Sequence, residues 1–277
     1  MLMNIDPSLT ARYLRDGAVF PIRVLTGEEA ADRLHRIEEM EQKRAGRLPP
    51  VLNFKPHLLV PWLWDLVTDP RVVAPVADVL GPDVLCWASS FFDKRPGEPS
   101  EVPWHQDATY WGLSAPHALT AWIAFTPSTR TNGGLQVLYG SHTRLHEHGP
   151  SASENNLLAG GEEILVDVDE DDAVHVDLAP GEMSFHHLLL IHGSKPNTSG
   201  MRRLGFAIRY IAGDLTQIGS MRGSATLVSG RDRGTFNLEQ APASEFAPEA
   251  VRRHSESLRS WMSIVYPAVK RSHDAQA

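Results

Sequence analysis

"VLCWASSFFDKRPGEPSEVPWHQDATYWG", residues 84–112, decides how the rest of the chain is read. It opens with a run of apolar, aromatic and small residues and turns through "RPGEPS" (95–100). It then resumes as a second β-forming segment that carries His105 and Asp107. Short β-type runs separated by Gly and Pro argue for a sheet-based fold. In a strand, residues i and i+2 share a face, with Cα atoms roughly 6.6 Å apart. His105 and Asp107 are therefore expected over one face. There they either hold a metal ion or form a buried hydrogen-bonded pair.

Beyond this segment the same texture continues. "LTAWIAFTPS" (119–128), "GLQVLYG" (134–140), "AVHVDLAPGEMSFHH" (173–187) and "RLGFAIRYIAG" (203–213) are β-type runs set off by "TNGG", "APGE" and "NTSG". Many short strands with such turns predict a sandwich or barrel. Before residue 84 the chain reads mainly as helix. "DPSLTARYLRDG" (6–17) has an Asp cap and a closing Gly. "TGEEAADRLHRIEEMEQKRAG" (26–46) has Thr26 as its cap and acids in its first turn, and "DPRVVAPVADVLGP" (69–82) is a third helix. "ASEFAPEAVRRHSESLRSWMSIVY" (243–266) predicts a closing amphipathic helix. The expected organisation is one domain over 1–277. It has a mainly helical part (1–83), a β core (84–215) and a C-terminal loop and helix (216–277). The polar, Gly-rich stretch 146–172 reads as a long loop and a candidate lid. Within it "DVDEDD" (167–172) mimics a calcium loop, but the sixth position is Asp172 instead of Gly and the twelfth is Leu178 instead of Glu, so it reads as a solvated acidic loop.

Bulk properties narrow the function. The 277 residues are 42% hydrophobic and 22% charged, with a net charge of −8, which argues against nucleic acid or an anionic membrane surface as partner. The single cysteine, Cys86, allows neither an internal disulfide nor a Cys-based zinc site and reads as a buried core residue. The start has no signal-peptide pattern, and the most apolar run, "HLLVPWLWDLV" (57–67), is too short to span a bilayer. The expectation is a cytoplasmic protein acting on a small molecule, with its oligomeric state left open.

A metal over His105 and Asp107 needs a third donor. The best candidate among the 13 histidines is His192 in "HHLLLIHGSKPNTSG" (186–200), placed where a strand gives way to a Gly-Ser turn. Two histidines and one carboxylate on one face of an octahedron leave three positions open, a set that favours Fe(II) in oxygen-using enzymes.

"PWHQDATYWGL" (103–113), "AWIAFTPSTRTNGGLQVLYGSH" (121–142) and "HHLLLIHGSKPNTSGMRRLGFAIRY" (186–210), in this order and spacing, resemble the phytanoyl-CoA dioxygenase family of Fe(II)- and 2-oxoglutarate-dependent oxygenases. The resemblance runs from about Lys55 to Tyr210. It implies a mainly β fold with flanking helices, the double-stranded β-helix (jelly-roll, cupin-like). It also implies iron held by His105, Asp107 and His192, and 2-oxoglutarate and O2 as co-substrates. Arg203, eleven residues after His192, would pair with the distal carboxylate of 2-oxoglutarate, as a planar guanidinium can. Arg202 would point to the opposite face. Ser194 would lie near the co-substrate, Trp122 would wall the pocket, and Tyr110 follows the His-Gln-Asp motif as in relatives. Tyr139 stands where relatives usually have Pro, at a turn.

The implied activity is hydroxylation of a small polar or anionic metabolite or natural-product intermediate, with release of succinate and CO2. Halogenation on the same fold needs a small residue in place of Asp107. A desaturase, a non-catalytic metal-binding jelly-roll and a zinc hydrolase compete with the hydroxylase reading. His186 and His187 are expected to pack behind the metal donors, and His142, His146 and His148 to be loop residues. Asn53, His57, Trp111 and Arg222 are the candidates for substrate contact, from loops where family members bind substrate.

Overall fold

The computed structural model describes residues 8–44, 46–158, 161–219 and 222–274. The N-terminal elements are α1 (Ser8–Asp16), β1 (Ala18–Arg23), α2 (Gly27–Gln42), α3 (Pro61–Val67) and α4 (Pro70–Leu80). There follow β2 (Val84–Lys94), β3 (Val102–His105), α5 (Ala108–Trp111), β4 (Ala118–Ala124), β5 (Leu135–Val137), β6 (His148–Pro150) and β7 (Glu162–Ile164). The chain closes with β8 (Val174–Val176), β9 (Glu182–His187), β10 (His192–Ser194), β11 (Arg203–Ala212), β12 (Ser224–Ser229), β13 (Asn237–Leu238) and α6 (Pro248–Asp274).

Two sheets carry the fold. The larger runs β1-β9-β4-β11-β2-β12-β13 and the smaller β3-β10-β5-β8, with β6 and β7 paired separately. Strict alternation along the central strands explains how the larger sheet is buried on both faces. On β11, Leu204, Phe206, Ile208 and Tyr210 join one core cluster with Leu63, Leu66 and Val76 of α3 and α4. Leu119, Ala121 and Ile123 of β4 and Met183 and Phe185 of β9 face the same way. The opposite face carries Arg203, Ala207 and Arg209 of β11, Thr120 and Trp122 of β4 and His186 of β9, which line an internal cavity. Helices thus cover one face of the sheet, and the other turns toward the smaller sheet. Tyr210, fully buried among the helices, donates from its hydroxyl to the Val67 carbonyl at 2.8 Å, so its one polar group is satisfied.

The predicted cap of α2 is present as a full capping box. Thr26 Oγ1 accepts from the Glu29 N–H at 3.1 Å, and Glu29 Oε2 accepts from the Thr26 N–H at 2.8 Å. The first predicted helix forms as α1, but its expected Asp6 cap lies outside the described residues. α4 starts behind Asp69, whose side chain accepts from the Arg71 N–H, and ends at Gly81 with φ +90°.

The N-terminal part is mainly helical, and β1 within it pairs with β9 at the edge of the larger sheet. Two sequence readings are corrected. β12 and β13 extend that sheet beyond residue 215, with β12 antiparallel to β2. The stretch 146–172 is not a bare loop. It holds the β6–β7 pair and a short 3-10 turn at Glu170–Asp172, and Leu157 donates its N–H to the Glu101 carbonyl at 2.9 Å. Its residues 159 and 160 lie outside the described residues, and Leu158 lines the internal cavity. Cys86 is free and fully buried on β2. No described helix is long and apolar enough to cross a membrane.

Candidate active site

His105 closes β3 and His192 opens β10, and these antiparallel strands place the two residues opposite one another. Their ring centroids are 4.1 Å apart. Asp107 completes the group: one donor atom from each of His105, Asp107 and His192 lies within 4.8 Å of the other two. The route to Asp107 differs from the predicted one. β3 stops at His105, and Asp107 sits in a right-handed helical conformation (φ −61°, ψ −29°) leading into α5. The carboxylate reaches His105 by a backbone turn instead of strand alternation. Asp107 Oδ1 lies 3.6 Å from His105 Nε2, and Oδ2 accepts from Thr120 Oγ1 at 3.1 Å.

Both imidazoles are held in the form a metal needs. His105 Nδ1 donates to the Pro103 carbonyl at 2.9 Å and His192 Nδ1 to the Leu190 carbonyl at 2.8 Å. A carbonyl accepts only, so Nδ1 carries the proton in each ring, and Nε2 is the nitrogen left to face a metal. Burial pushes His192 well below the ordinary histidine range and His186 down to about 4, which keeps both neutral. Burial alone would raise the Asp107 carboxyl. The surrounding histidines, His105 foremost, outweigh it and hold the carboxyl well below the usual range. The donor set is two imidazoles and a carboxylate on one side of a cavity, which fits a divalent metal with open positions.

Arg203 lines the same cavity and is only 3% exposed. Its guanidinium lies 4.4 Å from the centroid of the Trp122 ring, and among the described residues its one hydrogen bond runs from Nε to Ser128 Oγ at 3.4 Å. No described carboxylate approaches it, and burial lowers its pKa to about 10. The Trp122 indole N–H is also buried and, among the described residues, without a partner. A buried guanidinium without a counter-ion is costly unless an anion joins it. These unmet groups fit a bound carboxylate. Arg202 points away and is locked by Asp93 and Glu41. Ser194 lines the cavity, and its Oγ accepts from the buried Lys94 ammonium at 2.7 Å.

Gly205, opposite Ala124 on β4, makes the Arg203–Trp122 stack possible. A Cβ at Gly205 would lie 2.0 Å from Trp122 Cζ2. Gly205→Ala is expected to destabilise the protein by about 1–3 kcal/mol, the usual cost of overpacking. It should also displace Trp122 from Arg203. Chemical denaturation reads the first effect, and tryptophan fluorescence of the folded variant reads the second.

The cavity gathers His105, Asp107, His192, Trp122, Ser194 and Arg203, all singled out in the sequence. It does not gather the four residues expected to contact substrate. Asn53 is exposed on a 3-10 turn. His57 is fully buried between Ser89 and Thr226, close to a Lys55–Glu239 ion pair. Trp111 stacks on Trp87 at 5.0 Å. Arg222 donates to the Phe236 carbonyl and lines a separate surface groove. Packing explains each: a loop position in sequence does not say whether the side chain turns to core, solvent or site. The Tyr110 side chain lies outside the described residues. His187 leaves the cavity side and packs near Tyr13 and His142.

Sequence reasoning also missed contacts. Gln106, between the two donors, is fully buried. Its side chain donates to the carbonyls of Arg144 (2.9 Å) and Leu189 (2.5 Å) and accepts from the His146 N–H, while its backbone N–H donates to His148 Nε2 at 3.0 Å. His148, read as a loop residue, thereby braces the His105–Asp107 turn. His186 lies 4.4 Å, ring to ring, from His192.

Fold and site together define a jelly-roll with a two-histidine, one-carboxylate centre, the architecture of non-haem metal oxygenases. The family model described as phytanoyl-CoA dioxygenase (PhyH) matches residues 13–205, and the chain belongs to that family. A probable phytanoyl-CoA dioxygenase of Caenorhabditis elegans is 29% identical over 175 residues, covering 59% of this chain and 55% of that protein. The ectoine dioxygenase of Bordetella bronchiseptica is 30% identical over 145 residues, 47% of each chain. The matches thus span about half the length of these two curated relatives. A probable alpha-ketoglutarate-dependent hypophosphite dioxygenase of Stutzerimonas stutzeri is 28% identical over 73% of this chain and 77% of its own. Among solved structures, the apo form of the non-heme monooxygenase ThoJ superposes with a TM-score of 0.85 at 32% identity, covering 95% of this chain and 99% of that one. CytC3 with Fe(II) and alpha-ketoglutarate has a TM-score of 0.64 at 25% identity, over 88% of this chain and 96% of that one.

Proposed function

We propose that this chain is an Fe(II)- and 2-oxoglutarate-dependent dioxygenase that hydroxylates a small molecule, with release of succinate and CO2. The observation that carries the reading is the pairing, in one cavity, of a three-donor group with a buried arginine that has no carboxylate partner among the described residues. When bound, the metal and 2-oxoglutarate supply the oxidising chemistry.

The protein's residues do the rest. His105, Asp107 and His192 would hold the metal, and the Nδ1 hydrogen bonds to Pro103 and Leu190 fix the tautomer and aim of the two rings. Thr120 holds Asp107 through its second oxygen. Arg203 would take the distal carboxylate of 2-oxoglutarate by a charge-assisted pair, with the Trp122 ring supporting the guanidinium from one face. Leu158 and Phe92 add apolar wall to the cavity, which limits water around the reacting centre.

The relatives are named for an acyl-CoA, for ectoine and for hypophosphite, three unlike substrates. Their names therefore carry over the reaction class and leave the substrate to this chain's own cavity. A metabolite panel incubated with the protein, Fe(II), 2-oxoglutarate and ascorbate is expected to show substrate-stimulated succinate release. Mass spectrometry should show the gain of one oxygen in the stimulating compound. Turnover that needs neither O2 nor 2-oxoglutarate would indicate a metallohydrolase instead.

A further inference from the structure

The cavity holds a second arginine that the proposed chemistry does not use. Arg209 lies on the same face of β11 as Arg203, six residues further along, so the two Cα atoms are roughly 20 Å apart on an extended strand. Arg209 is level with the three-donor group. It pairs in register with Thr120 on β4, which pairs with His186 on β9. Thr120 donates to Asp107, and the His186 ring packs against His192. Arg203 therefore marks one end of the cavity, and Arg209 marks the level of the metal donors.

Arg209 has little to hold it. Nη1 donates to Ser90 Oγ at 2.5 Å, and the guanidinium lies 5.6 Å from the Phe92 ring centroid. Among the described residues no carboxylate comes within ion-pair distance of it. Asp107 acts on it only from further away. Formal charges show what is missing. Apart from the Lys94 ammonium, which three oxygen acceptors of Ser194 and Lys195 hold, the charge of a divalent metal and that of Arg203 are matched by Asp107 and the two carboxylates of 2-oxoglutarate. The charge on Arg209, which is half-buried, is left over in the cavity, where an unmatched charge is less well solvated than in open water. The co-substrate carboxylate nearest the metal is already matched by the metal itself.

We infer that Arg209 binds a carboxylate of the substrate, beside the carbon that is oxidised. This inference rests on the dioxygenase reading and narrows it to small carboxylic acids as the substrate class. The guanidinium fork can grip such a group with two parallel N–H donors. Ser90 takes one Nη1 donor and Phe92 lies beside the guanidinium, and Arg209 itself lines the cavity.

The test is a binding measurement that needs no turnover. The protein loaded with Ni(II) and 2-oxoglutarate is titrated calorimetrically with propanoate, butanoate and hexanoate and with their carboxamides. The expected result is a preference for at least one acid over its amide of about tenfold or more. Arg209→Gln should abolish that preference and leave 2-oxoglutarate affinity within about threefold of wild type. If Arg209→Gln does not fold, as judged by circular dichroism, Arg209→Lys replaces it and should weaken acid binding about tenfold. Acids that bind no better than amides, whether both weakly or both tightly, overturn the inference. So does a preference that survives the substitution. So does a variant that loses 2-oxoglutarate, since Arg209 would then serve the co-substrate. A wild-type protein that fails to take up 2-oxoglutarate at all sinks the dioxygenase reading itself, and that result is seen before any acid is added.

Discussion

Asp107→Ala is expected to reduce substrate-dependent succinate release by more than the ~10–100-fold that disturbing an outer partner of a metal ligand costs. The carboxylate would be a direct ligand, and it supplies the negative charge of the donor set. Removing it leaves both imidazoles in place, because their Nδ1 bonds go to the backbone carbonyls of Pro103 and Leu190. It also strands the Thr120 hydroxyl, which donates to Asp107. Asp107→Glu should fare poorly as well. The residue sits at a fixed turn before α5, braced by the Gln106 contacts, and an added methylene moves the oxygen by more than that turn absorbs. Iron content is measured beside succinate release for each variant. Near-wild-type turnover of Asp107→Ala at full iron loading would reduce His105 and Asp107 to a structural pair.

Arg203→Ala should raise the apparent KM for 2-oxoglutarate steeply and leave iron binding intact. Losing one partner of a buried charge-assisted pair typically costs about 2–5 kcal/mol, which corresponds to roughly 30- to 5000-fold in affinity. Arg202→Ala is the control. Its guanidinium is tied to Asp93 and Glu41, so its loss should lower stability and leave KM nearly unchanged. A large KM effect in Arg202→Ala with none in Arg203→Ala would contradict the assignment. The structure gives the two arginines different faces because β11 begins at Arg203, which turns toward the cavity, and Leu204 turns toward the helices.

The fold class was legible because alternation and turn residues are local signals. β4 and β11 announce themselves by largely apolar runs, and α2 by the Thr26–Glu29 pair. β1 was not legible. Its six residues include Pro21 and lie between two helices, and it becomes a strand only because β9 offers an edge. Of the candidate site, His105, Asp107 and His192 could be read from residue type and placement, and Arg203 from the family resemblance. Arg209 is legible as one of several arginines that offer positive charge to an anionic substrate, and its even offset from Arg203 on one strand puts both on the same face. The His148–Gln106 brace could not be read. It joins residues 42 positions apart through a backbone N–H, and no side-chain pattern reports that. The four residues expected at the substrate do not line the cavity for the same reason in reverse: their environments are set by contacts with distant segments, such as His57 with Thr226.

An anaerobic titration of Fe(II) into the protein with 2-oxoglutarate, followed by visible spectroscopy, tests the central claim most directly. A weak charge-transfer band is expected that needs both additions, saturates at equimolar iron and is absent from His192→Ala. Iron that binds without the band, or a band that persists unchanged in His192→Ala, would contradict that claim.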